Sequence, residues 1–519
     1  MVSKKSLPTP SEFMAHKPLN ILLITSDQQH WSLLGCLNRE VKTPHLDRLA
    51  AQGTLFRRAY CTNPTCTPSR SSIITGMMPS AHGAWSLGTK LREDVPTVGD
   101  VFQAGGYATD LIGKAHFQPL RGTEAYPSLE AYPGLQDLDF WRGFHGPFYG
   151  FQHVELNRSH GDEAHVGQHY AAWMEDAGFA GWRKHFRAPT GTTSGEYGAW
   201  SLPEEYHYNA WIAERTNARL SRHAGSGTPF FLWASFPDPH PPYLVPEPWA
   251  SMFDPDELTL PGPVPGEHDL NPEHFRKTQE ENPDFGLMAN EQPNGNSGHG
   301  CHSHLKSPSE RARDLALYYG MMAMTDHYVG KILAHLEETG MADNTLVLFT
   351  SDHGHLYGQH GMTAKGPFHY EDLIRVPMIV RWPGHVPEGR QSDALQSLVD
   401  LSPTFLAAAG IGIPPFMCGV NQLPVWTGAC ESARSDVVVE NRHQPNAIHM
   451  RTYVDSRYKL TIYRSQPYGE LFDLLEDPGE VRNLWNDPAS SGLRSDLTRK
   501  LLDAVMANEP IWMPRVGSA

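Results

Sequence analysis

Residues 20–26, NILLITS, form an unbroken apolar run of strand length that ends at Asp27. Such a run fits a strand buried on both faces of a parallel sheet, where no alternate position meets water. The pattern recurs in YATDLIG (107–113), PFFLWASF (229–236), TLVLFTS (345–351) and VPMIVRW (376–382), with intervals long enough for crossover helices. Thr43-Pro44 reads as an N-cap followed by a first-turn proline, with Leu46, Leu49 and Ala50 on one face of the helix behind it. A second helix is predicted from Pro308 to about Thr339, where Leu315, Tyr318, Met322, Val329, Leu333 and Leu336 recur every three or four residues. The fold class is α/β, a large mixed, mainly parallel sheet sandwiched by helices.

Beyond residue 430 the period shortens. SDVVVEN (435–441), MRTYVDS (450–456) and YKLTIYR (458–464) predict a small antiparallel sheet, and a last helix is expected from about Ser491 to Met506. The expected division is an N-terminal extension over 1–18, a main α/β domain over 19–430 and a C-terminal subdomain over 431–519. Residues 119–200, rich in Gly, His and aromatics, and 254–307, rich in Pro, Asn, Gly and His, fit neither scheme and read as insertions above the sheet.

Composition narrows the function. The chain has 519 residues, 39% hydrophobic and 19% charged, which is ordinary globular usage. Its net charge of -16 argues against a broad basic face for nucleic acid, so an anionic substrate must be met by local cations. No apolar stretch has the length or flanks of a signal-peptide core or a membrane span, and the expectation is a cytoplasmic protein with no membrane partner. The six cysteines show no framework spacing and are not expected to pair.

Ligands of open α/β sheets bind beyond the carboxyl ends of the strands. Two runs end alike, in Thr25-Ser26-Asp27-Gln28 and in Thr350-Ser351-Asp352-His353-Gly354. Two carboxylates, an amide oxygen and one imidazole suit Ca²⁺, Mg²⁺ or Mn²⁺, with the nitrogen tilting the set toward Mn²⁺. Acidic residues also cap loops at strand ends, so this pair alone leaves both readings open. In Cys66-Thr67-Pro68-Ser69-Arg70, the proline and the later Ile73, Ile74 and Met77 predict a helix start. That puts Cys66 at a positive helix end with Arg70 one turn along.

CTPSR resembles the C-x-P-S-R signature of the type I sulfatases, members of the alkaline phosphatase superfamily whose cysteine is converted to formylglycine. The likeness runs through TPHLDRLAAQGTLFRRAY (43–60), TGMMPSAHG (75–83), GKAHF (113–117), SFPDPHPPY (235–243), NTLVLFTSDHG (344–354) and GELFDLLEDPGEVRNL (469–484). It implies an alkaline-phosphatase-like fold and hydrolysis of an organic sulfate monoester to an alcohol or phenol plus sulfate. It also implies one divalent ion, Ca²⁺ or Mn²⁺, held by Asp27, Gln28, residue 66, Asp352 and His353, and a formylglycine-generating enzyme as partner. One geminal hydroxyl of the hydrated aldehyde would attack sulfur, and the second would let sulfate leave as the aldehyde re-forms. Arg70 would orient residue 66, Lys114 and His116 would contact it and the sulfate, and His240 would be a candidate acid for the leaving oxygen. Lys365 would bridge sulfate and leaving group. Arg70, Lys114 and Lys365 together would then supply the cations that the acidic chain otherwise lacks.

The chain departs from a common family pattern in having Gln28 and His353 where many members have Asp and Asn. The same combination occurs in relatives acting on choline sulfate or on phosphonate monoesters and phosphodiesters, which keeps a phosphonate or phosphodiester substrate open beside the sulfate. An inactive binding homologue would show a damaged core motif, and none is seen. A phosphatase with an unmodified nucleophile would offer Ser or Thr rather than Cys66. His82 is read as structural or catalytic, and His299, Cys301, His302 and His304 as a loop cluster rather than a zinc site. Trp141, Phe144, Phe148, Tyr149 and Phe151 either line a pocket for an apolar leaving group or pack the insertion onto the sheet. A homo-oligomer is left open.

Overall fold

A computed structural model describes residues 17–158, 166–186, 198–281, 306–442, 448–513 and 515–517. The main sheet has eight strands: β1 (Asn20–Ser26), β2 (Thr54–Phe56), β3 (Ala108–Gly113), β4 (His153–Leu156), β5 (Phe230–Ser235), β6 (Thr345–Ser351), β7 (Met378–Arg381) and β8 (Arg390–Ser392). Their order is β8-β2-β7-β6-β1-β5-β3-β4, parallel from β6 to β4, with β7 antiparallel to both of its neighbours. All five apolar runs lie in this sheet.

Their unbroken hydrophobicity follows from the two layers they separate. Leu22, Ile24, Leu232, Ala234, Val347 and Phe349 face α1 (Pro44–Ala51), α3 (Tyr208–Ser226) and α4 (Pro308–Glu338). Ile21, Leu23, Phe231, Trp233, Leu346 and Leu348 face α2 (Cys66–Thr75) and α5 (Leu401–Ala408). With period two and both faces covered, every position must be apolar. Trp141, Phe148 and Phe151 are buried in the second layer, Trp141 against Phe144 and His169, Phe148 against Phe117, and Phe151 against Phe231 and Trp233, so these aromatics serve packing.

Two local readings change. The side chain of Thr43 does not cap α1. The buried carboxylate of Asp326 on α4 accepts from His45 N (3.1 Å) and Leu46 N (2.7 Å), tying the two helices together. The stretch 119–200 is not wholly an overlay, because it contributes edge strand β4. That strand has only four residues, His153 and Glu155 among them, so no apolar run announces it.

A second sheet, β9 (Val437–Arg442), β10 (His449–Val454), β11 (Tyr458–Tyr463) and β12 (Gly469–Asp473), is an antiparallel meander packed by α6 (Ser491–Ala507) through Leu497 and Leu501. It is stitched to the main body where Glu440 N donates to Thr62 O (2.8 Å) and Asn63 Nδ2 to Glu440 O (2.7 Å). The His299, Cys301, His302 and His304 cluster lies outside the described residues. No helix among the described residues is long and apolar enough to cross a membrane. The cysteines among them are free thiols.

Gly113 ends β3 at φ +105°, and a Cβ there would sit 2.0 Å from the Ser235 carbonyl oxygen. Gly113→Ala is expected to destabilise the fold by on the order of 2 kcal/mol. It is read as a lowered thermal midpoint, and an unchanged midpoint would show that this strand end is not constrained.

Candidate active site

Strand register assembles the site. Thr25 pairs with Thr350 and Ser26 with Ser351, so Asp27 and Asp352 emerge side by side at the carboxyl ends of β1 and β6. β3 ends in register with β5 at Gly113 and Ser235, which delivers Lys114 two strands away, with its amide donating to Ser235 O (2.9 Å). The Lys114 ammonium reaches back over β5 to pair with Asp27.

α2 begins at Cys66 and all ten of its residues are buried. An internal helix must pair its polar side chains within the protein. Ser69 Oγ donates to Asp352 O (2.6 Å), Ser72 Oγ meets Thr62 and His82, and Thr75 donates to Ser71 O (2.7 Å). His82 also accepts from Ala84 N (3.1 Å), and burial holds its pKa down at about 3, so it is a structural residue of the turn. Arg70 donates from Nε to Asp352 (2.7 Å), from Nη1 to Lys114 O (2.9 Å) and Ser235 Oγ (2.8 Å), and from Nη2 to Asp27 (3.2 Å). The guanidinium is thus committed to the two carboxylates and the backbone around them.

Asp27, Asp352 and Cys66 are almost wholly excluded from solvent. Burial works against ionisation of Asp27, but Lys114 and Arg70 overcome it and hold its pKa well below the ordinary range. Burial lowers the Lys114 pKa, although Asp27 opposes the shift. Burial and Asp27 push the Cys66 thiol up, yet Lys365, Lys114 and His353 outweigh them, so its pKa is lowered. A side chain at position 66 therefore sits where negative charge is favoured.

The donor set fits a divalent ion. One ligating atom each from Asp27, Cys66, Asp352 and His353 lies within 4.8 Å of the others. His353 Nδ1 is 2.9 Å from Gly354 O, which takes its proton and leaves Nε2 facing Cys66 Sγ at 3.2 Å, the tautomer a metal ligand needs. Gln28 contributes an amide at φ +59°, and its Oε1 is buried without a hydrogen-bond partner among the described residues. Its Nε2 is 2.8 Å from His355 Nδ1, and His355 Nε2 contacts the Tyr243 hydroxyl. That relay orients the amide and leaves its oxygen, rather than its nitrogen, for an ion.

Lys365 comes from the loop beyond β6. Its Nζ lies 3.1 Å from Cys66 Sγ, 3.2 Å from His240 Nε2 and 3.5 Å from His353 Nε2. His240 Nδ1 donates to Pro241 O, so the Nε2 lone pair faces Lys365. Burial and Lys365 hold the His240 pKa well below the ordinary histidine value. His116, at φ +57°, is buried beside Lys114, and its pKa is driven down by burial and by Arg158. Asp27, Gln28, Cys66, Arg70, Lys114, His116, His240, Asp352, His353 and Lys365 therefore gather at the strand ends, whereas His82 and the 141–151 aromatics serve the surrounding structure.

Five contributors were not read from the sequence. Ser235 opens and Tyr243 closes the SFPDPHPPY segment, but neither was assigned a role there. His355 stands two residues beyond His353, close enough to have been tried as a partner of the strand end. Glu130 and Arg158 come from the 119–200 stretch, and no spacing signals them.

Residues 19–411 match the family model described as Sulfatase, and residues 358–507 match the model described as N-sulphoglucosamine sulphohydrolase, C-terminal. The chain is 27% identical over 493 residues to an uncharacterized sulfatase, YidJ, of Escherichia coli K12, covering 93% of this chain and 86% of that one. It is 28% identical over 500 residues to an arylsulfatase of Clostridium perfringens, covering 93% of each. A solved phosphonate monoester hydrolase from Silicibacter pomeroyi superposes with a TM-score of 0.76 at 27% identity, over 95% of this chain and 96% of that chain. With the match spanning most of its length, the chain belongs to the sulfatase family of the alkaline phosphatase superfamily.

Proposed function

We propose that this protein hydrolyses an organic sulfate monoester, using residue 66 as formylglycine. The supporting observation is the position of Cys66 Sγ, at a buried helix start between His353 Nε2 (3.2 Å) and Lys365 Nζ (3.1 Å) and 3.7 Å from Asp27. Conversion of the thiol is an oxidation supplied in trans by a formylglycine-generating enzyme. Residue 66, once converted and hydrated, would supply one hydroxyl for displacement of the alcohol and a second whose deprotonation would let sulfate leave as the aldehyde re-forms. A divalent ion, Ca²⁺ or Mn²⁺, held by Asp27, Gln28, Asp352 and His353 would supply Lewis acidity at residue 66.

The chain's own groups manage charge and protons. Arg70 pairs with both Asp27 and Asp352 and Lys114 pairs with Asp27, so the cradle is charge-balanced before substrate arrives. The proton for the departing oxygen comes from the Lys365 ammonium, with His240 Nε2 as its acceptor and relay. His240 is neutral in the free site, so it is the relay rather than the first source.

A second reading keeps these residues and takes a phosphonate monoester or phosphodiester. It is favoured by the Asp27-Gln28 with Asp352-His353 combination and by the likeness to the phosphonate monoester hydrolase. Tetrahedral sulfuryl and phosphoryl groups present similar oxygens to the same cations.

Mass spectrometry of the 61–70 peptide from active enzyme is expected to show an aldehyde at position 66, and an intact thiol there would sink the mechanism. Cys66→Ala should lower turnover on the order of 10⁴-fold or more with little change in thermal midpoint. Asp352→Asn should lower bound metal, measured by elemental analysis, together with kcat/KM by about 100-fold or more. Full activity after complete chelation would exclude the metal role. An aryl sulfate should be cleaved with kcat/KM at least about tenfold above that of an aryl phosphonate monoester, a margin near 1.4 kcal/mol in transition-state binding. The reverse order would select the second reading.

A further inference from the structure

Arg158 is a buried guanidinium with unspent donors beside the site. It follows β4, where Leu156 is in register with Gly113 of β3 and Asn157 N donates to Gly113 O (3.0 Å). One residue further on, Arg158 reaches Glu130, whose carboxylate holds the His116 to Gln118 turn. It is 1% exposed, and its ion-pair partner is Glu130, at 3.6 Å. None of Nε, Nη1 and Nη2 has a hydrogen-bond partner among the described residues.

Glu130 does not absorb those donors. Its oxygens already accept from the amides of His116 (2.9 Å), Phe117 (2.9 Å) and Gln118 (3.1 Å), fixing the turn that carries His116. His116 Nδ1 is likewise buried and unpartnered. A guanidinium carries five N–H groups and remains charged, and leaving them unsatisfied in a dry interior is costly. Such an expense is expected of a receptor preorganised for an anion. The field of Arg158 reaches the reacting residues: it is the second cause, after burial, of the depressed His116 pKa, and Glu130, Cys66 and Asp27 each favour the charged Arg158.

Arg70 and Lys114, in contrast, are bound to Asp27 and Asp352. Lys365 stands on the His240 side. We propose that Arg158 is a substrate-binding residue whose planar fork receives two terminal oxygens of the transferred group, on the side away from the leaving group. This rests on the hydrolase reading above and sharpens its substrate class. A sulfate monoester has three terminal oxygens, whereas a phosphonate monoester or phosphodiester has two. With one oxygen directed to the metal cradle, only the sulfate monoester keeps two for the fork.

The test compares wild type, Arg158→Gln and Arg158→Lys in the intact enzyme. Inorganic sulfate is titrated calorimetrically, and kcat/KM is measured on para-nitrophenyl sulfate and para-nitrophenyl phenylphosphonate, with metal content and thermal midpoint alongside. Arg158→Gln should weaken sulfate binding by about tenfold or more and lower kcat/KM on the sulfate ester about 100-fold, against less than about tenfold on the phosphonate. Arg158→Lys should recover part of the affinity, because it restores charge without the fork. Unchanged sulfate affinity in a folded variant, or equal losses on both esters, overturns the proposal. If Arg158→Gln does not fold, Arg158→Lys decides: wild-type affinity and ester ratio overturn it, and a selective loss on the sulfate ester upholds it. If wild type cleaves neither ester, the hydrolase reading fails, and sulfate calorimetry alone decides the role of Arg158.

Discussion

Two carboxylates, Asp27 and Asp352, stand on adjacent parallel strands with no access to water, and the rest of the site answers that constraint. Like charges about 4 Å apart repel by roughly 4 kcal/mol even at an effective dielectric near 20. Each would also lose most of its hydration on burial. Arg70 therefore spends its guanidinium on both, and Lys114 spans a strand to reach Asp27. The sulfatase signature is intelligible as a charge-balancing helix start, since the residue one turn after Cys66 must be a fixed, forked cation.

The same balance changes how substrate charge is met. A site with three cations facing an anion would bind it by simple attraction, but two of these three are neutralised by the carboxylates they hold. Lys365, 3.1 Å from Cys66 Sγ, and Arg158, whose ion-pair partner is Glu130, complete the local cations. In a chain of net charge -16, attraction from a distance is weak, and recognition falls to these short-range donors.

Much of this was legible in the sequence because the sheet is buried on both faces. Runs such as NILLITS and TLVLFTS could only be central strands, and their identical endings fixed where to look for chemistry. The antiparallel placement of β7 was not legible, because a buried strand has the same composition in either direction. Edge strand β4 was hidden for the opposite reason: half covered and four residues long, it carries His153 and Glu155. Glu130 and Arg158 were missed with it. Their role depends on a strand whose existence the hydrophobic pattern does not reveal, and on a turn that closes only in three dimensions.

Gln28 shows how one substitution is absorbed by its surroundings. An amide in place of a carboxylate offers an ion one neutral oxygen, and its nitrogen could take that place with no steric penalty. The contact from Nε2 to His355 Nδ1 removes the ambiguity, and the Tyr243 hydroxyl contacts the far ring nitrogen. Two side chains, His355 and Tyr243, thus perform the orienting that charge alone would perform for an aspartate. With Asp27 and Asp352 already paired to Arg70 and Lys114, a third carboxylate would add a negative charge to the pocket that the amide does not. The neutral amide thus keeps an oxygen for a cation without adding a charge that the surrounding cations must answer.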